Sequence, residues 1–531
     1  MRYGNLYACF LVKGNAVPTF SLVTPVFNPP IWALDECIQS VLQQSFADWE
    51  WCIADDASTD PDVLAVLKRL VARDSRVKLV QRDTNGGIIA ASNSALELVT
   101  GDFVALLDHD DSLNVHALRT VAEVIANTET VDYIYSDEDK IDESGRHFAE
   151  FKKPSFSPER LRGQNYCCHL SVFRSSLIKE LGGFRDGFEG AQDYDLILRA
   201  TEKARTIVHI PEVLYHWRTV TGSTASDAGA KPYTIESGRK AVAEHCQRIG
   251  LIADVTSTTG GYVHVKRKVT HDRKVSIIIP TRGDVKKVWG ISTCLVANAI
   301  KSIFLRSTYA NYEIVVVHDQ VGELHPDLRE CLDDERVSLV WYNKPFDFSD
   351  KCNIGVVHSG GSIVVLLNDD TEIDSPDWLE VLIGFLEDEN VAMVGPLTVL
   401  EDGRIQSAGH GNNTLPHNLG AGELIESPGY FGERLISREI SGVTGACLAM
   451  RRTCYDDLGG MSTTLPHSFN DVDLAFKALD AGYRIIWTPL AKIWHFESLS
   501  RDPRVRTEEL EQLSNRWETY FNRDSYTTHS E

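Results

Sequence analysis

Phe103-Val104-Ala105-Leu106-Leu107-Asp108-His109-Asp110-Asp111 is an apolar run that stops on an acidic turn, and the chain repeats it as Leu366-Leu367-Asn368-Asp369-Asp370-Thr371. Two further motifs recur in the same order around it. Val23-Thr24-Pro25-Val26-Phe27-Asn28 returns as Ile279-Pro280-Thr281-Arg282, and Gln192-Asp193-Tyr194-Asp195-Leu196 returns as Asn470-Asp471-Val472-Asp473-Leu474. The offset drifts only from about 255 to about 278 residues, the behaviour of a long internal repeat. Two copies of one domain are the simplest account.

Each copy opens on a β-branched run, Phe20-Ser21-Leu22-Val23-Thr24 or Val275-Ser276-Ile277-Ile278-Ile279, as a buried parallel strand does. Helical spacing follows over 34–44 and 293–305, then second strands over 49–54 and 312–317. Alternation of strand and helix implies an α/β fold with a doubly wound sheet, whose ligands sit beyond the carboxyl ends of the strands. The polar, turn-rich stretch 251–272 reads as a linker between a first domain over 17–250 and a second over 273–522.

Composition narrows the class. A length of 531 residues suits two large domains, and 43% hydrophobic with 24% charged residues leaves no low-complexity segment, so most of the chain folds. A formal charge of -23 argues against a nucleic-acid partner. The 11 cysteines are scattered without a CxxC pair or zinc-ligand spacing, which fits a reducing, cytoplasmic setting. Near the start, Leu6 to Val12 is apolar but is followed by Lys13 and no cleavage pattern. No run reaches the roughly 20 apolar residues needed to cross a bilayer. Action on lipid-linked material would therefore mean peripheral docking at the inner face of the membrane. The stripe Leu510, Leu513, Trp517 and Tyr520 reads as a packing face or as a membrane contact.

Asp108 and Asp110, one residue apart at a strand end, can offer oxygens to one hard divalent ion that also takes oxygens from a diphosphate. An acidic pair alone is equally a solvated turn or a helix cap; its repetition after a second buried strand favours the ion. Asp55 and Asp56 follow the second strand, where a carboxylate accepts from a nucleobase imide or a ribose hydroxyl, or else caps the helix from Pro61. The second copy keeps one such acid, Asp319, after His318. Asn85-Gly86-Gly87 is a glycine turn opening a helix, suited to backbone approach to phosphate.

With these motifs the chain resembles tandem inverting glycosyltransferases of family 2, the GT-A fold, of the kind that assemble bacterial surface polysaccharide. The resemblance runs over nearly the whole chain, through Cys52 to Asp60, Ala105 to Asp111, Tyr135-Ser136-Asp137-Glu138-Asp139-Lys140 and Leu214-Tyr215-His216-Trp217-Arg218. In the second half it rests on Pro345-Phe346-Asp347-Phe348-Ser349, Gln406-Ser407-Ala408-Gly409-His410, Phe469 to Leu474 and Trp494 to Arg501, strings similar to those of O-antigen rhamnosyltransferases. It implies Asp193 and Asp471 as general bases. Thr24, Pro25, Asn28, Asp55, Asp56, Asn85, Asp108, Pro280, Thr281, Asp319 and Asp369 would bind a nucleotide-diphospho-sugar, dTDP-rhamnose being the first candidate. Asp108, Asp110 and His216 in one copy, and Asp370 and His495 in the other, would hold Mg²⁺ or Mn²⁺. The acceptor would be a glycan or lipid-linked glycan.

Asn368 departs from the pattern, standing where Asp108 stood. A full charge lost at ~4 Å from a divalent ion forfeits on the order of several kcal/mol at an effective dielectric near 20, partly recovered through the amide oxygen. One active half beside a carbohydrate-binding half is therefore an alternative to two active halves. A sugar-phosphate nucleotidyltransferase is a further alternative, but it wants a basic glycine-rich loop where this chain has Thr24-Pro25-Val26-Phe27-Asn28-Pro29-Pro30. A binding protein without catalysis is the last.

Overall fold

The strand Phe20–Val26 is apolar on both faces because it lies between two parallel neighbours, Trp49–Asp55 and Phe103–Leu106. Val275–Thr281 repeats this between Tyr312–Asp319 and Ile363–Leu367. The computed structural model describes residues 17–219, 232–320, 322–413, 415–496, 506–521 and 523–528. They form two compact units. One holds the described residues up to Phe156 with Gln164–Leu251 and Val255–Val263; the other holds Ser157–Gly163, Ile252–Asp254 and the described residues from His264 onward. The 251–272 stretch contains two paired strands, Ala253–Ser257 and Val263–Arg267.

The first sheet runs Val77–Gln81, Trp49–Asp55, Phe20–Val26, Phe103–Leu106, Ser171–Arg174, Val131–Ile141, Thr206–Arg218, Ser112–Leu113. The second repeats the order with Val337–Tyr342, Tyr312–Asp319, Val275–Thr281, Ile363–Leu367, Cys447–Arg451, Val391–Val399, Arg484–His495, Thr371–Ile373. A doubly wound parallel sheet describes only the first four strands of each. The fifth, Ser171–Arg174 or Cys447–Arg451, is antiparallel to both of its neighbours. It begins beside the carboxyl ends of the parallel strands and runs back, so the residues just before it arrive at the acidic turn.

Matching hydrogen bonds bind each sheet. Glu50 accepts from the Ser21 hydroxyl at 2.7 Å, the Thr100 amide at 2.6 Å and Lys78 Nζ at 2.6 Å; Glu313 accepts from Ser276 at 2.7 Å, the Gly360 amide at 2.6 Å and Lys274 at 2.5 Å. Each serine also receives the next glycine amide, Gly101 at 3.0 Å or Gly361 at 2.8 Å. Asn93 and Asn353 likewise brace the turns that lead toward Asp193 and Asp471. Each side chain exchanges two hydrogen bonds with the backbone after a left-handed glycine, at Phe184 beyond Gly183 and at Met461 beyond Gly460. Those glycines have φ of 72° and 63°, and an added Cβ would stand 2.6 Å from the asparagine Oδ1 in both. Only glycine fits there.

The C-terminal stripe is a packing face. Leu513 and Trp517, in and just after the helix Thr507–Arg516, are buried with Leu465, Val472 and Phe476, and Trp517 Nε1 donates to Asp473 at 2.8 Å, bracing the helix that carries Asp471. Among the described residues no helix is long and apolar enough to cross a membrane. Residues 1–16 and 497–505, on which the readings of the N-terminus and of Glu497 to Arg501 fall, lie outside the described residues.

Burial acts to raise the Glu50 carboxyl, but hydrogen bonds from Lys78, Thr100 and Ser21 outweigh it and hold it at about 2, below its usual 4.5. A depressed carboxyl stabilises the fold above its unfolded pKa, and that contribution disappears as pH falls from about 4.5 toward 2. Glu50→Gln is expected to cost roughly 1–2 kcal/mol at neutral pH, with solvent screening included, and to flatten the acid limb of the first unit's melting temperature. Thermal unfolding across pH 2.5–7 by circular dichroism checks this, on the order-of-magnitude window above.

Candidate active site

The acidic turns stand where the parallel strands end. In the first unit Asp108, Asp110 and Asp111 crowd together, and burial followed by repulsion from Asp108 and Asp110 pushes the Asp111 carboxyl well up. Its oxygens are engaged, one by the Tyr215 hydroxyl at 2.5 Å and one by the Arg218 amide at 2.7 Å, while Arg218 Nε donates to the Asp110 carbonyl at 2.6 Å. Asp108 is part-buried and also raised, by lost solvation first; His169 opposes that, and Asp110 and Asp193 reinforce it. Asp108 and Asp193 therefore feel one another's charge. The ligand atoms of Asp108, Asp111 and His169 all lie within 4.8 Å of one another. Asp193 sits in the first turn of the helix Gln192–Lys203, where its Oδ2 accepts from Asn165 at 2.8 Å. Its neighbour Asp195 is buried and paired with Arg185 and Arg199.

In the second unit the corresponding groups line one cavity of about 270 Å³. Its wall includes Pro280, Thr281, Asp369, Asp370, Asp471 and His495, together with Asn368, Lys351, Gln406 and His410. His495 Nε2 lies 3.2 Å from Asp370 and 3.4 Å from Asn368 Nδ2. Asp471 Oδ2 accepts from the Gly445 amide at 2.8 Å. Burial and then Asp370 raise the Asp369 carboxyl to about 7, although Thr281 Oγ1 donates to it at 2.6 Å. Burial lowers the His410 imidazole, against the pull of Asp471 and a hydrogen bond with Asn418.

A hard divalent ion fits both turns: carboxylates predominate, and Asn368 Oδ1 is buried with no hydrogen-bond partner among the described residues, as an oxygen reserved for a cation would be.

Several residues read as ligand contacts are engaged by the protein itself. The Thr24 hydroxyl accepts from Trp51 Nε1 at 2.9 Å in the core. Asn28, at φ 44°, ties the first loop to the second by accepting from the Thr59 and Asp60 amides at 2.9 and 3.1 Å. The Pro25 carbonyl is 3.0 Å from His109 Nδ1. Asp56 accepts from the Gly86 and Gly87 amides at 3.0 and 2.8 Å and is ion-paired with Arg82 at 2.8 Å, and Asn85 donates to the Asp56 carbonyl at 3.2 Å. The glycine turn is thus held by the protein's own carboxylate. Asp319 is paired with the buried Lys351 at 2.5 Å, whose Nζ also donates to the Thr281 carbonyl at 2.8 Å. Among the described residues the carboxylate of Asp55, buried at the end of its strand, accepts from the Ser58 amide alone, at 3.4 Å.

His216 and His495 do not share a position. Ser112 pairs with His216, two residues past Asp110, whereas Thr371 pairs with His495, one residue past Asp370. Counted from the turn, His495 matches Trp217, and His216 matches Trp494. A one-residue shift in a strand reverses the face. His216 Nδ1 accordingly goes to Asp139 at 2.6 Å, which His147 also reaches at 2.8 Å, rather than to the acidic turn. Sequence reasoning missed His169, Lys351 and Asn165. His410 stands out in the sequence only as the end of the string Gln406 to His410.

Twin mixed sheets whose parallel strands end on an acidic turn, with an acid at a helix N-terminus facing it, define α/β nucleotide-diphospho-sugar transferase units of GT-A type. The model of the glycosyl transferase family 2 matches residues 21–182 and 276–459, and the chain belongs to that family. Similar curated proteins include the uncharacterized protein y4gI of Sinorhizobium fredii, 40% identical over 95% of this chain, and the O-antigen biosynthesis protein RfbC of Myxococcus xanthus, 32% identical over 91%. The chain spans 56% and 38% of those two proteins' lengths. A similar solved structure is S. aureus TarS 1-349 in complex with UDP-GlcNAc, at 25% identity and TM-score 0.35, covering 43% of this chain and 66% of that one.

Asp56→Ala is expected to destabilise the first unit by roughly 2–4 kcal/mol, since it leaves Arg82 without its ion-pair partner and two amides without their acceptor. A lowered melting temperature in ligand-free protein is the check; a residue that touched only ligand would leave it unchanged.

Proposed function

We propose that the chain is a bifunctional inverting glycosyltransferase of bacterial surface-glycan assembly, its two domains at 17–250 and 273–522 each adding one sugar from a nucleotide-diphospho-sugar. The observation that carries this is the single cavity holding Asp471 opposite Asn368, Asp370 and His495, with Asp193 and Asp108 in electrostatic contact in the other unit. The relative whose name speaks of O-antigen biosynthesis supports the glycan class, and the second-half strings similar to those of rhamnosyltransferases make dTDP-rhamnose the first donor to try.

In each site the acceptor hydroxyl gives its proton to the aspartate, Asp193 or Asp471, as its oxygen bonds to the anomeric carbon. The bond from that carbon to the diphosphate oxygen breaks on the opposite face, which inverts the centre. Gly445 and Asn165 hold the two carboxylates in place for this. Asp55 is the carboxylate with capacity left for a nucleobase imide or ribose hydroxyl; in the second unit Thr281, Asp369 and the Asp319–Lys351 pair form the corresponding wall. Mg²⁺ or Mn²⁺, held by Asp108 and Asp110 in one site and by Asn368, Asp370 and His495 in the other, would offset the charge of the departing diphosphate.

Separate Asp193→Asn and Asp471→Asn chains test the reading, with a panel of nucleotide sugars and a synthetic glycan acceptor analysed by mass spectrometry. Each variant is expected to lose one linkage by ~10²–10⁴ and keep the other, the worth of a positioned base. A variant that keeps both linkages at full rate contradicts activity in its half.

A further inference from the structure

The antiparallel fifth strand brings a residue of different chemistry to each acidic turn. Ala105 pairs with Val172, and beyond the paired residues His169 comes beside Asp108, their ligand atoms within 4.8 Å. In the second unit Leu367 pairs with Cys447, and the Asn368 amide donates to the Ala446 carbonyl at 3.0 Å, so Ala446 holds the place of His169. The last long strand shows the reverse exchange: the place of His495 is taken in the first unit by Trp217. Each turn is thus approached by a histidine from a different strand, His169 just before the fifth strand in one half and His495 on the last long strand in the other.

His169 is held as a ligand needs to be. Its ring stacks on Tyr215 with centroids 4.5 Å apart and planes 8° apart, and it abuts Trp217 at 5.5 Å. Tyr215 is fixed in turn by its bond to Asp111 and by the Asp108 amide, which donates to its oxygen at 3.3 Å. The His169 carbonyl accepts from the fully buried Lys153, itself paired with Glu138 at 2.9 Å. The imidazole keeps partial exposure, and its ligand nitrogen lies within 4.8 Å of a carboxylate oxygen of Asp108 and of Asp111. Metal-binding histidines are held in orientation by contacts beyond the metal, ordinarily a hydrogen bond from the second ring nitrogen; here the stacking on Tyr215 and the contact with Trp217 orient the ring.

We propose that His169 is the histidine ligand of the first half's divalent cation, in the role His495 has in the second, and that His216 has no part in that site. The inference rests on the cation reading above. It also accounts for the exchange of Trp217 for His495, because a second imidazole there would be redundant.

The test uses the full chain carrying Asp370→Asn and His495→Ala, which removes ligands from the second site. Mn²⁺, alone and with UDP, is titrated into it, and bound Mn²⁺ is read by electron paramagnetic resonance. One ion per chain is expected, with imidazole-nitrogen modulation in the spin-echo spectrum. Adding His216→Gln is expected to preserve both; adding His169→Gln is expected to weaken binding at least tenfold and to remove the modulation. Loss of the nitrogen signal in the His216→Gln chain overturns the proposal, as does its survival with unchanged affinity in His169→Gln. The His216→Gln spectrum is read with His169 intact, so it decides the question even if the His169 variant folds poorly. Absence of any bound Mn²⁺ in the parent background overturns the cation reading of the first half and this proposal with it.

Discussion

Like charges forced together at the end of a buried strand are the constraint on which both units depend. Two carboxylates 4–5 Å apart repel by about 3–4 kcal/mol at an effective dielectric of 20, and burial adds to the cost. The Asp111 and Asp369 carboxyls are raised by burial first and then by this repulsion. Tyr215, Arg218 and Thr281 offset part of it by donating to the turn. A turn left this acidic is suited to a cation, and a cation beside a base-bearing helix is suited to glycosyl transfer.

The frame around the turns is conserved between the halves at the level of single hydrogen bonds. The Glu50 and Glu313 clamps, and the Asn93 and Asn353 braces, recur with the same partner types. Of the cavity lining, Pro280, Asp370 and Asp471 recur as Pro25, Asp110 and Asp193, while other positions differ. His318 stands for Asp55, and Lys351 binds Asp319 where glycine amides bind Asp56. The two halves thus share the scaffold and the acids of the turn and the helix, and differ in part of the lining.

The parallel half of each sheet and the acidic turns were legible because they are local: a β-branched run, then acids. The helix that begins at Asp193 or Asp471 was legible for the same reason. The antiparallel fifth strand was not, since nothing local to Ser171–Arg174 tells its direction, and with it went the approach of His169 to Asp108. The His216 and His495 motifs look alike in sequence, and only strand register separates them by one residue and hence by a face. Nor does composition distinguish a carboxylate that binds its own backbone, as Asp56 does, from one left open, as Asp55 is.

The most direct measurement of the central claim is anomalous diffraction from crystals of the full chain soaked with Mn²⁺ and UDP. Our account predicts a manganese peak at each turn, bonded to Asp108 or Asp110 in one unit and to Asp370 in the other, with diphosphate oxygens completing each shell. Nucleotide bound at those strand ends without manganese, or manganese bound only away from both turns, would contradict it.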